Sequence, residues 1–579
     1  MLASLRFLSS ARSLLAGIVF LSPLTASAIE PVRVVATGGR IGYTFYDLPT
    51  GSTAFRQRTP HKLGGPVAEM QIGFMDWMYT DKTESTNTVN DVTIRYAWLE
   101  RASTGQTVPL TFSGQRTLVL PKDSTTSYWL SDPLPSSSWS GATPARDEVF
   151  WLHVIGSVPA GGRIPVGTPT TFSGAKYINY ATESAAGQPD VSGTITGSSS
   201  RTDGLPVIFL GRYTGPGHLA VIGVGDSIMH GSGDPANPTP VITGYGFFNR
   251  AALDANGANT IATFNLTRHG QTASAWMSPG KQQRQRAFFK FANVVAEEYG
   301  TNDLGQGGGG VPATILSNVE GIWTAARAEG VQKIVRTLLM PRTNATSAWG
   351  ADGQVPLPEW GVGGKRDTIN AGLIAAKNAG KVDVIVDSLA ALADPADLGR
   401  WRPDGSLPTT DGTHLNSAGN ILMASPLRAA LLSLTVDADR PDYSKWSDEV
   451  EWNGKDSSPG ADPNDDGVTN LMAYALALTP LASLSPESLP VGAMDSSTPN
   501  GPWLTLTFRQ NATAMDLQYV VQSTTDLMTW STITPDGTNA ILETVSPDVD
   551  GNGKAKLLRL RLKQAPGDDT RFLRLQIRH

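Results

Sequence analysis

The stretch Val221-Ile222-Gly223-Val224-Gly225-Asp226-Ser227-Ile228-Met229-His230 constrains the chain more than any other, because a short apolar run stops there at Gly-Asp-Ser. A run of this length ending in glycine reads as a buried parallel strand breaking into a turn. Such a turn, at the carboxyl end of an α/β sheet, is where sites are usually built. Ser227 is therefore a nucleophile candidate. Gly-Asp-Ser is also an ordinary turn tripeptide, so the assignment depends on what the rest of the chain supplies.

Three downstream segments supply it. Asn265-Leu266-Thr267-Arg268-His269-Gly270-Gln271-Thr272 follows the strand-like 260–264, Tyr299-Gly300-Thr301-Asn302-Asp303 comes next, and Asp411-Gly412-Thr413-His414-Leu415-Asn416 is last. In this order, over about residues 218–432, the blocks resemble the signatures of the SGNH (GDSL-type) hydrolase superfamily. The resemblance implies Ser227 as nucleophile, Gly270 and Asn302 as oxyanion donors, and Asp411 and His414 as acid and base of an Asp-x-x-His block. Ile228 stands where the GDSL name has leucine, a position without a catalytic role.

The chemistry asks for these residue types. A serine hydroxyl is too weakly acidic to attack an ester unaided, so a base with a pKa near neutrality must take its proton. His414 suits that task, and a carboxylate three residues earlier, Asp411, can hold the ring's tautomer and offset its charge. The carbonyl oxygen becomes an anion, to be met by the Ser227 and Gly270 amides and the Asn302 side chain. Glycine at 270 permits close backbone approach. Taken singly, Asn302 reads as a turn residue, Asp411 as a turn or cap, and Asp226 as a structural group bonding the turn that presents Ser227. Among the other histidines, His153 lies in an apolar run and reads as core, while His61, His218 and His579 have no partner pattern. His230, His269 and Trp276 flank the blocks as candidates to line the cleft.

Residues 1–28 read as a targeting segment: Arg6 and Arg12 precede the apolar run Leu14 to Leu21, and Ala26-Ser27-Ala28 offers a cleavage site before Ile29. An exported protein is expected, with no transmembrane segment, since no run approaches the roughly 20 apolar residues a membrane helix needs. Cys 0 then excludes disulfides, so stability must come from apolar cores, with bound cations as an additional source where a site exists. Removing Arg6 and Arg12 leaves 44 of the 46 Lys+Arg against 52 Asp+Glu, a net of −8, which argues against nucleic-acid binding through a general basic field.

A multidomain chain is expected. From 29 to 215 the pattern is β: Val92, Ile94, Tyr96 and Trp98 alternate with Thr93, Arg95 and Ala97, and 118–120 and 149–155 read as further strands. This predicts an N-terminal β-sandwich whose tryptophans (Trp77, Trp98, Trp129, Trp139, Trp151) are mostly core, with a sugar-stacking platform as the alternative. From 216 to 435 strands alternate with helices: Ile315, Leu316, Val319, Ile322 and Trp323 share a helical face before the strand 333–340, and Ile369, Leu373 and Ala376 repeat the pattern before 382–386. That rhythm predicts a parallel sheet covered on both faces, and the resemblance implies the α/β/α three-layer, flavodoxin-like form. Gly305-Gln306-Gly307-Gly308-Gly309-Gly310, too glycine-rich to order itself, reads as a mobile rim of the site or a plain flexible connection.

Residues 436–482 read as a linker carrying Asp462-Pro463-Asn464-Asp465-Asp466-Gly467. Oxygen side chains at Asp462, Asn464 and Asp466 followed by glycine are what Ca²⁺ needs to wrap a loop, and the stretch resembles the calcium loops of dockerin and thrombospondin type 3 repeats. Ala473 stands where an EF-hand has glutamate, so a full EF-hand is not supported, and an acidic turn capping the helix 471–478 is the other reading. From 483 to 579, alternating Leu504, Leu506 and Phe508, then Leu558, Leu560 and Leu562, then Leu573, Leu575 and Ile577 predict a second β-sandwich, resembling accessory modules of secreted bacterial enzymes.

The function expected is a secreted serine esterase without a catalytic cofactor, with O-acetyl groups on polysaccharide as the favoured substrate. A lipase, phospholipase or polyester hydrolase would use the same residues. A surface protein that binds glycan through its β-modules, around an inactive central scaffold, is the alternative of another class.

Overall fold

The computed structural model describes residues 30–578 apart from short stretches at 80–84, 170–173, 235–245, 279–282, 346–352, 404–406, 437–442, 444–445, 448–449, 483, 498–501, 515–516, 552–553 and 565–570. The expected targeting segment, 1–28, lies outside the described residues. The chain forms two compact units, Val32–Ala438 and one that takes in Asp439–His579.

The first unit is organised by one large sheet. Its parallel part runs, in spatial order, Ala262–Asn265, Ala220–Val224, Val294–Glu297, Lys333–Thr337 and Val384–Val386. Numbered along the chain this is the order 2-1-3-4-5 of doubly wound sheets, which changes direction at the first strand. Alternation along each strand sends side chains to two cores, as the period of two requires. Ala220, Ile222 and Val224 join a cluster with Ile315, Val319, Ile322, Trp323, Ile369 and Leu373 from the helices Pro312–Ala328 and Lys365–Asn378. Val221, with Val294, Ala296 and Val335, joins Phe247, Phe248, Met423, Leu427 and Leu431 from Phe247–Ala251 and Ser417–Leu432. Helices thus cover both faces, in the three layers expected.

The sandwich expected before residue 215 is also present, but it is not separate. Gly39–Arg40 pairs in parallel with Phe264–Asn265, and Val207–Tyr213 and Val67–Phe74 extend the same sheet antiparallel. Along Val207–Tyr213, Val207 and Phe209 pack into the sandwich core, whereas Ile208 and Leu210 pack into the core beneath the parallel sheet. The border expected at 215/216 therefore runs inside a continuous sheet. Arg33 fastens it further by donating Nη1 to the Ala292 carbonyl at 2.6 Å.

The second sheet of the sandwich runs Leu118–Leu120, Val92–Arg101, Val149–Ser157, Ala54–Lys62 and Lys176–Tyr180. The predicted alternation in Val92–Arg101 breaks, because the pairing register slips between Ile155, opposite Tyr96, and Gly156, opposite Ile94. This bulge shifts the phase by one residue. Val92 and Ile94 face the sandwich core, Ala97 and Leu99 take over after the bulge, and Tyr96 is left 38 % exposed. Trp98 is buried on the opposite face, stacked on His153 and donating Nε1 to the Val191 carbonyl at 3.0 Å. Trp77 and Trp139 are buried as well, and the half-buried Trp151 lies under the Arg58 guanidinium, 3.5 Å from its ring centre. His153 is a core residue as expected, bonded through Nε2 to Glu100 at 2.7 Å.

The second unit is a sandwich of two antiparallel sheets, Val491–Asp495/Trp503–Asn511/Ala555–Lys563/Ala540–Ser546 and Ser531–Thr532/Gln518–Thr524/Phe572–Arg578. Leu504, Leu506, Phe508, Leu558, Leu560, Leu573 and Leu575 share its core with Val468, Met472, Ala473 and Leu476. The later part of the expected linker is thus built into this unit.

Burial of one histidine makes a testable contribution. His61 stacks on Phe209 with ring centres 3.9 Å apart, and its nitrogens bond the Thr37 carbonyl at 2.9 Å and Thr59 Oγ1 at 3.0 Å. Burial drives its pKa down to about 3, against the opposing pull of the Thr37 carbonyl. The unfolded chain binds this proton below about 6.5, and the folded chain only near 3, so the stability contribution is full above 6.5 and is lost as pH falls toward 3. The melting temperature of His61→Gln, measured against wild type, should therefore rise relative to it as pH is taken from 7 to 4; a difference independent of pH refutes the assignment.

Candidate functional site

The site lies at the carboxyl ends of the parallel strands, where the strand order changes direction. The strand Ala220–Val224 ends at Gly225, and Asp226 starts the one-turn helix Ser227–His230, accepting the Ile228 N–H through Oδ1 at 2.9 Å. Ser227 takes the first helical position, 8 % exposed. Across the site, His414 Nε2 lies 2.9 Å from Ser227 Oγ, and His414 Nδ1 lies 2.6 Å from Asp411 Oδ2. A hydroxyl, an imidazole and a carboxylate are thus brought into one hydrogen-bonded line.

The Asp411–His414 loop is held from several sides. Asp411 Oδ1 accepts the N–H groups of Thr413 and His414 at 2.8 and 2.7 Å. The Gly412 carbonyl accepts Trp401 Nε1 at 3.1 Å and the Thr343 N–H at 2.9 Å, and Arg342 Nε reaches Thr413 Oγ1 at 3.1 Å. Burial would raise the Asp411 carboxyl, but hydrogen bonds from the His414 ring and the two backbone amides prevail and hold it below its usual range. It is therefore ionised wherever the imidazole needs a counter-charge.

The remaining blocks converge on Asp226. Asn302, in the turn of helix Thr301–Leu304, donates Nδ2 to Asp226 Oδ2 at 2.9 Å and to the Gln271 carbonyl at 3.2 Å. Gly270 has φ +66°, a conformation that favours glycine. Among the described residues neither the Ser227 nor the Gly270 N–H donates to a protein acceptor. Asp303 ties the blocks again by accepting the Ala273 and Ser274 amides at 2.9 and 3.1 Å.

Beneath the serine lies a pair of acids. Glu298 Oε2 accepts the Asp226 N–H at 3.2 Å, and both side chains are buried. Burial, and then the neighbouring Asp226 carboxylate, push Glu298 well up, so Glu298 holds the proton of the pair. Burial also raises Asp226, to about 6, against hydrogen bonds from Ile228 and Glu298. Asp226 is structural, as the sequence suggests, and serves both the turn that carries Ser227 and Asn302.

Of the flanking candidates, Trp276 does not line the cleft: it is fully buried, stacked on Phe289, with Nε1 donating to Tyr299 OH at 2.5 Å. His230 is buried too, its ring 2.7 Å from Arg40 Nη2. His269 stays half-buried beside Gly270. The segment 305–310 is no loose rim: Trp360 Nε1 bonds the Gly305 carbonyl at 2.9 Å, Lys365 Nζ the Gly308 carbonyl at 2.8 Å, and the Gly310 N–H the Leu304 carbonyl at 3.1 Å. Arg40, Arg342 and Trp401 carry no sequence signal, since nothing local says where their side chains end. The adjacent acids Glu297 and Glu298, closing an apolar strand, did carry one.

In the second unit, Asp462 accepts the Asp466 and Gly467 amides at 3.2 and 2.9 Å, and Asn464 Nδ2 donates to Asp466 Oδ2 at 2.7 Å. The helix after the loop, Asn470–Ala475, is capped by Thr469 and not by an acidic residue. Among the described residues no group of three or more His, Cys, Asp or Glu is arranged to hold a metal ion, and no helix is long and apolar enough to cross a membrane.

No family model and no curated protein matches the chain. Among solved structures, it is similar to a GDSL-like lipase from Bacteroides thetaiotaomicron (18 % identity over 37 % of this chain and 87 % of that one, TM-score 0.25). It is similar to a member of the lipolytic G-D-S-L family from Veillonella parvula (16 %, 37 % and 98 %, TM-score 0.27). A third is a family two carbohydrate esterase from Clostridium thermocellum in complex with cellohexaose (12 %, 68 % and 93 %, TM-score 0.27). Similarity at these levels carries no weight for function, which has to be argued from the site itself.

Proposed function

We propose that the Val32–Ala438 unit is a serine esterase. The observation that carries this is the line Ser227 Oγ, His414 Nε2, His414 Nδ1, Asp411 Oδ2, with contacts of 2.9 and 2.6 Å. In this reading His414 takes the Ser227 proton as Oγ attacks the ester carbonyl, Asp411 steadies the imidazolium, and the alcohol leaves with the proton that His414 returns. Water then repeats the sequence on the acyl-serine. The Ser227 and Gly270 amides, which have no protein acceptor among the described residues, meet the oxyanion. Asn302 joins them by yielding its longer bond, the one to the Gln271 carbonyl. The favoured substrate is O-acetyl on an external polysaccharide, supported by the targeting-like 1–28 and the appended sandwich; no cofactor takes part in the chemistry.

Ser227→Ala should abolish labelling by a fluorophosphonate probe and nearly all cleavage of p-nitrophenyl acetate, because the path runs through an acyl-serine. Labelling that persists at another serine would sink the assignment.

Asn302→Ala should lower kcat by roughly 100- to 1000-fold with little change in KM, as for a donor aimed at charge that appears only in the transition state. Near wild-type kcat with a lowered Tm would assign Asn302 to holding the turn alone.

The loop at Asp462 is assigned a structural Ca²⁺, held by Asp462, Asn464 and Asp466. Two features support it: Thr469 already caps the following helix, and Asn464 Oδ1 is a buried oxygen without a hydrogen-bond partner among the described residues. Excess chelator should then lower the Tm of the second unit, by mass action on the folded state, and leave ester cleavage in place. An unchanged melting profile with no metal in the purified protein removes the ion.

A further inference from the structure

His230, His269 and Trp276 all flank the proposed nucleophile and oxyanion donors, yet only His269 keeps part of its side chain at the surface. Its Nδ1 lies 2.8 Å from Ser232 Oγ, and Ser232 in turn donates its backbone N–H to the Ser227 carbonyl at 3.0 Å. The imidazole is thus braced from the turn that carries Ser227, while its own backbone leads directly into Gly270. Underneath, its ring centre stands 3.9 Å from that of His230, and the half-buried Tyr43 ring lies 6.4 Å away. His269 Nε2 has no hydrogen-bond partner among the described residues.

The chemistry of this free nitrogen is set by its surroundings. Burial first, then the positive Arg268 and Arg40, lower the His269 pKa to about 4, so the ring is neutral near pH 7. A neutral imidazole nitrogen held at a fixed place pairs well with a hydroxyl and poorly with bare hydrocarbon. We propose that His269, braced by Ser232, is a specificity residue that hydrogen-bonds a hydroxyl on the alcohol portion of the ester, selecting esters of polyhydroxylated alcohols. This rests on the acetyl-ester reading above, in which the acyl group carries no hydroxyl and recognition must come from the alcohol. Ser232 is the positioning residue.

The test compares kcat/KM for a partially acetylated xylo-oligosaccharide with that for p-nitrophenyl acetate, whose leaving group has no hydroxyl to offer. In His269→Phe the ratio of the two should fall roughly 10-fold, mostly through KM on the oligosaccharide, the size expected for losing one hydrogen bond to substrate. Ser232→Ala should move the ratio the same way by a smaller factor, and His269→Gln should restore part of it. Equal losses on both substrates in His269→Phe and Ser232→Ala would assign the pair to bracing the Gly270 loop and overturn the specificity role. Wild-type protein that cleaves p-nitrophenyl acetate but not the oligosaccharide would instead refute the carbohydrate reading itself, and the proposal with it.

Discussion

Burial of Val207–Tyr213 on both faces is the constraint on which the first unit depends. Val207, Ile208, Phe209 and Leu210 are each at most 1 % exposed, and burying such a side chain stabilises a fold by about 1.5–3 kcal/mol. Two of the four stabilise the sandwich and two the doubly wound layer, so neither core is complete without the strand. Arg40 extends the dependence to the site: it arrives with Gly39–Arg40, between Val207–Tyr213 and Ala262–Asn265 in the sheet, and places its guanidinium against His230, three residues after Ser227. The β-region before residue 215 is therefore part of the machinery that shapes the serine's surroundings.

The site itself is tied together by one short chain of polar contacts, Glu298 to Asp226 to Asn302 to Gln271. Three of the four blocks supply a member, Asp226 from the serine turn, Gln271 from the loop after Gly270 and Asn302 from its own turn, and Glu298 joins them from the strand end before Gly300. Two ionised carboxylates packed this closely beneath Ser227 would repel each other. Leaving the proton on Glu298 removes one of those charges. The remaining one on Asp226 is met by the Asn302 amide and the Ile228 N–H.

Much of this arrangement was legible in the chain. Ser227, Asn302, Asp411 and His414 carry local signals, because their chemistry needs particular residue types beside glycines in turns, and the structure brings all four together. The helix 312–328 could be read because its apolar face repeats at helical spacing. What failed depended on partners distant in sequence. The bulge opposite Gly156 turned Tyr96 outward, and no local property of 92–98 encodes it. Trp276 reads as a cleft residue by proximity to Gly270, but Phe289 and Tyr299 enclose it. The apolar run 207–210 was visible, yet a strand buried on two sides looks the same whether it ends a domain or joins two.

The sheet has a consequence for how the chain acquires its fold. Arg33 pairs with Gly211, and Gly39 with Phe264, so the first strands close only against partners made much later. Loops of that length carry an entropic cost that must be met before any contact rewards it, and folding rates fall as contacts become less local. The early strands, with open edges, have to wait for the middle of the chain. The βαβ units after residue 220 join partners closer in sequence, and the edge of Ala262–Asn265 against which Gly39–Arg40 closes is one that they supply.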